Sequence, residues 1–207
     1  MKRIIFLIML GVIIVGLIVL GVYSMLSTED KTPENQSTII DTIEGFGYTL
    51  DDRDTKLMKD EFANLKRILT ASEIDYDAYT LSLAKLFVID FYTLNNKITK
   101  NDVGSLEYMD ERIVDNFKLK AMNTIYRYLE NNLDNKRTQE LPEVRSILSA
   151  DLEHITHKIE GENIEAIKVT IQWDYVKDLG FDNHAEIIFI RAGKKLVVVD
   201  FQGSLRT

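Results

Sequence analysis

From Ile4 to Leu26 the chain carries no charged residue, and this run constrains the fold more than any other feature. As a helix it would extend about 35 Å at ~1.5 Å per residue, enough to cross a hydrocarbon core of about 30 Å. A core helix of a soluble domain needs a polar stripe, and none interrupts this run. Tyr23 stands where an interfacial aromatic is expected. Lys2 and Arg3 flank one end and Glu29 and Asp30 the other. By the positive-inside rule, residues 1–3 then form a cytoplasmic stub, 4–26 a transmembrane helix, and the remainder lies outside the cell membrane. The rival reading is a cleaved signal peptide, with Val22 and Ser24 supplying a small-residue pattern before a cut after Ser24. The apolar run is longer than a typical signal h-region, so an uncleaved signal anchor is the expectation.

Charge and cysteine content narrow the rest. The formal net charge is −8, and Lys2 and Arg3 are the only charges before Glu29, so the outer part is more acidic than the whole. Such a surface repels phosphate backbones and anionic headgroups, which argues against nucleic acid as a partner. The chain has no cysteine, which excludes disulfides, thiol catalysis and cysteine-ligated zinc. This absence, with richness in Ile, Asn, Lys and Asp, points to a low-GC bacterium. At 207 residues there is room for one ordinary domain beyond the anchor.

Residues 27–38 are polar and aperiodic and contain Pro33, the mark of a linker, which leaves 39–207 as the outer domain. The alternation Phe46, Tyr48, Leu50 predicts a short edge strand. A helix follows with Leu57, Met58, Phe62, Leu65, Ile68 and Leu69 on one face, capped by Asp52 or Asp54. A second helix is predicted over 75–92. Its apolar residues leave little polar face, which makes it the buried spine of the domain. The turn-rich connection 93–111 is long for a compact domain and suits a contact surface. A third helix is predicted from about Glu111 to Asn132. Beyond Pro142 the period changes to two, with strands over 144–159, 164–176, 185–191 and 196–201. Helices followed by a four-stranded antiparallel meander define an α+β fold, three helices packed on one curved sheet.

The segments Leu86-Phe87-Val88-Ile89-Asp90-Phe91-Tyr92-Thr93-Leu94 and Trp173-Asp174-Tyr175-Val176-Lys177-Asp178-Leu179-Gly180-Phe181 sit in this layout as the central helix and a sheet strand with its loop. The layout over roughly residues 40–202 resembles the cone-shaped fold of the nuclear transport factor 2 (NTF2-like) superfamily. With one N-terminal transmembrane helix it is similar to bitopic assembly factors of bacterial conjugation and type IV secretion, and to membrane-anchored proteins of Gram-positive bacteria. The resemblance is one of layout and carries no functional residue with it.

Chemistry-bearing patterns are sparse. Asp90 interrupts an apolar helix, either paired with a basic neighbour or acting as a desolvated general base. Tyr92, Trp173 and Tyr175 line a pocket at the open end of the cone or fill the core. Asn95, Asn96 and Asp102 belong to the proposed contact loop. His154 and His157 are three apart, on opposite faces of a strand, so no metal site is expected. No phosphate loop, nucleophile elbow or zinc-protease motif is present, and no cofactor is implied. The leading expectation is a scaffold that docks other envelope proteins, with homo-oligomerisation open. The alternative is a small-molecule or enzymatic pocket using Asp90.

Overall fold

A computed structural model describes residues 37–203, which belong to one folded unit. The anchor expected over 4–26 and most of the linker lie outside the described residues. No helix among the described residues is long and apolar enough to cross a membrane.

The order is β1 (Ile39–Ile43), β2 (Tyr48–Asp51), α1 (Lys56–Leu69), α2 (Tyr76–Tyr92), a 3₁₀ turn (Leu106–Tyr108), α3 (Val114–Asn123), then β3 (Val144–Ile159), β4 (Glu162–Tyr175), β5 (His184–Ala192) and β6 (Lys195–Gly203). The last four strands form one antiparallel sheet in the order β3-β4-β5-β6, with the three helices packed on it. Three expectations are corrected by these elements. In place of a single edge strand there is a separate hairpin, β1 paired with β2, whose turn holds the buried Phe46.

The cap of α1 is the second correction. Asp51, Asp52 and Asp54 do not cap it; Thr55 does, its side chain accepting from the Met58 N–H at 3.2 Å. The carboxylates fold the preceding turn on itself instead. Asp54 accepts from the Asp51 N–H and Asp51 from the Arg53 N–H, each at 2.8 Å. The third correction is that α3 stops at Asn123 rather than near Asn132. The next residues, Thr124, Ile125 and Tyr126, are weak helix formers. Ile125 and Tyr126 are both buried, on different sides of the chain from the exposed Arg127 and Tyr128. The backbone continues in tight turns, the Tyr126 N–H donating to the Ala121 carbonyl and the Arg127 N–H to the Thr124 carbonyl, each at 3.0 Å, while the Tyr126 hydroxyl donates to the Phe91 carbonyl at 2.7 Å.

The spine is α2, capped by Asp75, which accepts from the Asp77 and Ala78 N–H groups. Leu83, Ala84, Leu86, Phe87 and Val88 are fully buried around its circumference. One side meets Phe62 and Leu65 of α1, and the other meets Val169, Ile171 and Trp173 of β4 in the same core. Each such large apolar side chain contributes about 1.5–3 kcal/mol when fully buried. A tyrosine pair ties three elements: the Tyr48 and Tyr79 hydroxyls lie 2.5 Å apart, Tyr48 donates to the Leu196 carbonyl, and Tyr79 accepts from the Leu196 N–H.

The imperfect alternation over 144–159 has a structural cause. The register with β4 shifts between Val144 and Ser146 and again between Ile147 and Ser149, so β3 carries two bulges and is then regular to its end. Toward the β3–β4 turn the buried face changes sides. Ile155, Ile159 and Ile164 pack with Ala166, Ile188 and Ile190 in a second apolar cluster, separate from the main core.

Candidate functional site

The connection between α2 and α3 is where side chains of opposite charge converge. Asp90, near the end of α2, has one carboxylate oxygen paired with the Lys97 ammonium and the other accepting from the Ser105 N–H. Only 8 % of the Lys97 side chain and 16 % of the Asp90 side chain remain exposed, so this is a buried ion pair. Ser105 has a left-handed backbone, φ 67°, and its hydroxyl donates to the Phe87 carbonyl at 2.7 Å. Two anchors thus hold a conformation that a non-glycine residue seldom adopts. Gly104 beside it has no room for a side chain, because a Cβ would lie 2.6 Å from the Asp90 carbonyl oxygen.

A second layer of charge comes from the β2–α1 turn. Arg53 bonds the Asp102 carboxylate at 3.1 Å, the Asn96 carbonyl at 2.9 Å and Asp51 at 3.3 Å. Asp102 also accepts from the Ile98 N–H. Glu107 reaches back to β2 and accepts from the Thr49 hydroxyl at 3.0 Å and from its N–H. Together these residues line a polar cleft of about 210 Å³.

Burial sets the protonation behaviour of the cleft. It pushes Glu107 up to about 7, against the opposing pull of the Thr49 donors, with Asp90 adding repulsion. It raises Asp54 to about 6, again opposed by a backbone N–H and assisted by the Asp90 charge. Burial works against the Lys97 charge, but the adjacent Asp90 carboxylate overcomes it and the ammonium is held more firmly than an ordinary lysine. Tyr108 and Tyr126, both buried beside the cleft, are raised by desolvation. Near neutral pH the cleft therefore holds protons as well as charges.

A second, apolar cleft of about 210 Å³ lies between the segment after α3 and the β4–β5 loop. Leu94, Ile125, Leu129, Leu141 and Phe181 line it, and Tyr128 forms its exposed rim. The polar side chains beside it are engaged, since Gln139 bonds backbone groups of Tyr128 and Glu130.

The residues singled out in sequence separate into three places. Asp90, Asn96 and Asp102 share the charged cleft. Asn95 is exposed, its amide donating to Glu143 at 3.1 Å and its carbonyl accepting from Arg137. Tyr92, Trp173 and Tyr175 are core residues. Tyr92 and Trp173 pack with centroids 4.5 Å apart and ring planes tilted by 38°, both fully buried, and the Tyr175 hydroxyl donates to the Asp182 carbonyl. Among the described residues no group of His, Asp and Glu side chains has the arrangement to hold a metal ion. His154 instead lies 3.1 Å from Asp77. Sequence reasoning did not place Lys97, Arg53 or Glu107 at the site, and read Asp54 only as a helix cap. The one available signal was their clustering in turn-rich segments either side of α1 and α2.

Chemically, Asp90 is a loop-ordering carboxylate. Both oxygens are engaged, and accepting a substrate proton would require release of Lys97. Comparison with known proteins finds no matching family, no similar curated protein and no similar solved structure.

Proposed function

We propose that this chain is a membrane-anchored, extracytoplasmic docking module that holds other envelope proteins, with an outer domain of NTF2-like layout. One observation carries the reading: the long 93–111 connection is pinned rather than loose. The Asp90–Lys97 pair, the Arg53–Asp102 pair and the Tyr126 hydroxyl, which accepts from the Gly104 N–H at 3.2 Å, fix it at three points. A surface loop held by one buried and one half-buried ion pair presents a constant shape, and a pre-organised surface loses less entropy when a partner binds. The apolar run over 4–26, with basic residues before it and acidic residues after it, supports the anchor and the outward orientation. The layout similarity to bitopic assembly factors of conjugation and type IV secretion agrees with a scaffolding role.

The test is in-cell crosslinking of the full-length protein in its own membrane, followed by purification and mass spectrometry. Lys100 and Asn101 are exposed on the loop, outside the pinning network. The double substitution Lys100→Glu with Asn101→Lys should abolish recovery of specific envelope partners while leaving the circular dichroism and melting curve unchanged. Partner recovery that survives these changes would remove the loop as the docking surface.

A further inference from the structure

The two edges of the four-stranded sheet are treated differently. The outer edge of β6 is covered: Met109 forms a parallel bridge with Val198, and the Asp110 N–H donates to the Val198 carbonyl at 2.9 Å. The outer edge of β3 is bare. Among the described residues no strand lies beyond it, and its backbone from Arg145 to Ile159 receives no hydrogen bond except from β4. Natural sheets commonly blunt such an edge with bulges, and β3 does so only in its first third. From Ser149 to Ile159 it pairs with β4 without interruption and contains no proline.

The directions of the free backbone groups follow from the hairpin. Strands β3 and β4 are joined by the two-residue turn Glu160-Gly161, with φ of 52° and 93°, so Ile159 and Glu162 form its closing hydrogen-bonded pair. Counting back by twos, Ile159, His157, Ile155 and Glu153 bond β4. The alternate residues Lys158, Thr156, His154 and Leu152 aim their N–H and C=O groups outward.

We propose that two copies of this chain associate through this edge, β3 against β3 in antiparallel register about a two-fold axis at Ile155, joining the two sheets into one of eight strands. Going beyond the docking reading and independent of it, this assigns the bare edge to a second copy. The side chains select the register. On the outer face Ile155 meets its own counterpart, and Glu153 faces His157 of the second copy. No like charges stand directly opposite. Moving the axis to Thr156 would set His154 against Lys158, and moving it to His154 would set Glu153 against Ile155. Ile155 already belongs to the outer apolar cluster with Ala166, Ile188 and Ile190. Pairing at Ile155 makes that cluster continuous across the two-fold, as the self-complementary patch of a symmetric dimer requires.

The native absence of cysteine provides a direct test in the full-length, membrane-inserted chain. At the axis, Ile155 and its counterpart form a non-hydrogen-bonded pair with Cα atoms about 4.5 Å apart, within disulfide reach. Ile155→Cys should give a disulfide-linked dimer under mild oxidation, about tenfold or more above Lys158→Cys, whose counterpart would be about 20 Å away along the strands. Thr156→Pro in the Ile155→Cys background deletes an outward N–H and should abolish the link. Independently, light scattering of the detergent-solubilised chain should give a dimer that Ile155→Lys converts to a monomer. Equal crosslinking at positions 155 and 158, a monomeric unmodified chain, or a dimer that survives Ile155→Lys would each overturn the proposal.

Discussion

Two clefts among the described residues share a volume of about 210 Å³ and are built on opposite principles. The cleft beside Asp90 is ordered by charge: two ion pairs, a left-handed serine and a glycine without room for a methyl group. The cleft beside Phe181 is ordered by apolar packing, and its rim residue Tyr128 is 64 % exposed. The difference teaches where specificity of shape resides. Directional bonds allow few alternative arrangements of residues 97–107, whereas apolar contacts tolerate adjustment. The two clefts should therefore respond to substitution with very different magnitudes.

The largest effect is expected at Lys97. Lys97→Met leaves the Asp90 carboxylate buried with a backbone donor and no cation, which should cost about 3–5 kcal/mol. Asp90→Asn combined with Lys97→Met removes both charges and should recover a substantial part of that loss. Urea denaturation of the two variants measures the contrast. If Lys97→Met proves as mild as a surface change, order in the charged cleft does not come from the buried pair.

Next comes Gly104→Ala. The added Cβ would press on the Asp90 backbone carbonyl at 2.6 Å and on its carboxyl carbon at 2.8 Å, and the backbone atom cannot rotate away. Displacing the loop should cost about 1–3 kcal/mol. A melting curve reports it, and a loss of protection of the Ser105 amide against hydrogen exchange would locate the damage.

Acidification sharpens the comparison from the opposite direction. Glu107 is raised to about 7 and Asp54 to about 6, both chiefly by burial. Each folded-state value lies above the unfolded value, so the folded chain takes up these protons first. Their contribution to stability is fully present below the unfolded carboxylate pKa and is lost as pH rises through about 6 to 7. The protein should melt at a higher temperature at pH 5.5 than at pH 8, and Glu107→Gln should flatten that rise. Asp41 and Asp110, held below their usual range by hydrogen bonds from Lys66 and Arg112 respectively, act in the opposite sense only at stronger acidity. A melting temperature that falls between pH 8 and pH 5.5 would show that neither group is desolvated as described.

How much of this was legible beforehand differs by element. The spine helix and the strands over 164–201 were readable because burial there follows one period: nearly continuous apolar residues around α2, and Val169, Ile171, Trp173 and Tyr175 alternating in β4. The third helix was read too long because Ile125 and Leu129 continue a helical spacing by coincidence, while Tyr126 is held by Phe91 from another element. Asp90 stood out as a carboxylate in an apolar run. Its partner did not, because Lys97 lies in a connection whose path is set by tertiary contacts. The cleft as a whole was invisible for the same reason. It joins residues 49–54 to 90 and 96–107, segments with no shared periodicity.

The smallest effect is expected at the apolar cleft. Tyr128 projects from its rim, and the Arg127 guanidinium lies 5.1 Å from its ring centroid, an exposed cation–π contact. Such a contact contributes about 0.5–1 kcal/mol at most, and truncating an exposed side chain costs no cavity. Tyr128→Ala should therefore shift the unfolding free energy by about 1 kcal/mol or less, while Leu129→Ala, its buried neighbour, should cost about 2–5 kcal/mol. Calorimetry on both variants separates rim from floor. A Tyr128→Ala loss as large as that of Leu129→Ala would mean that the rim is part of the core packing, and the contrast between a charge-ordered and a packing-ordered cleft would have to be redrawn with Tyr128 inside it.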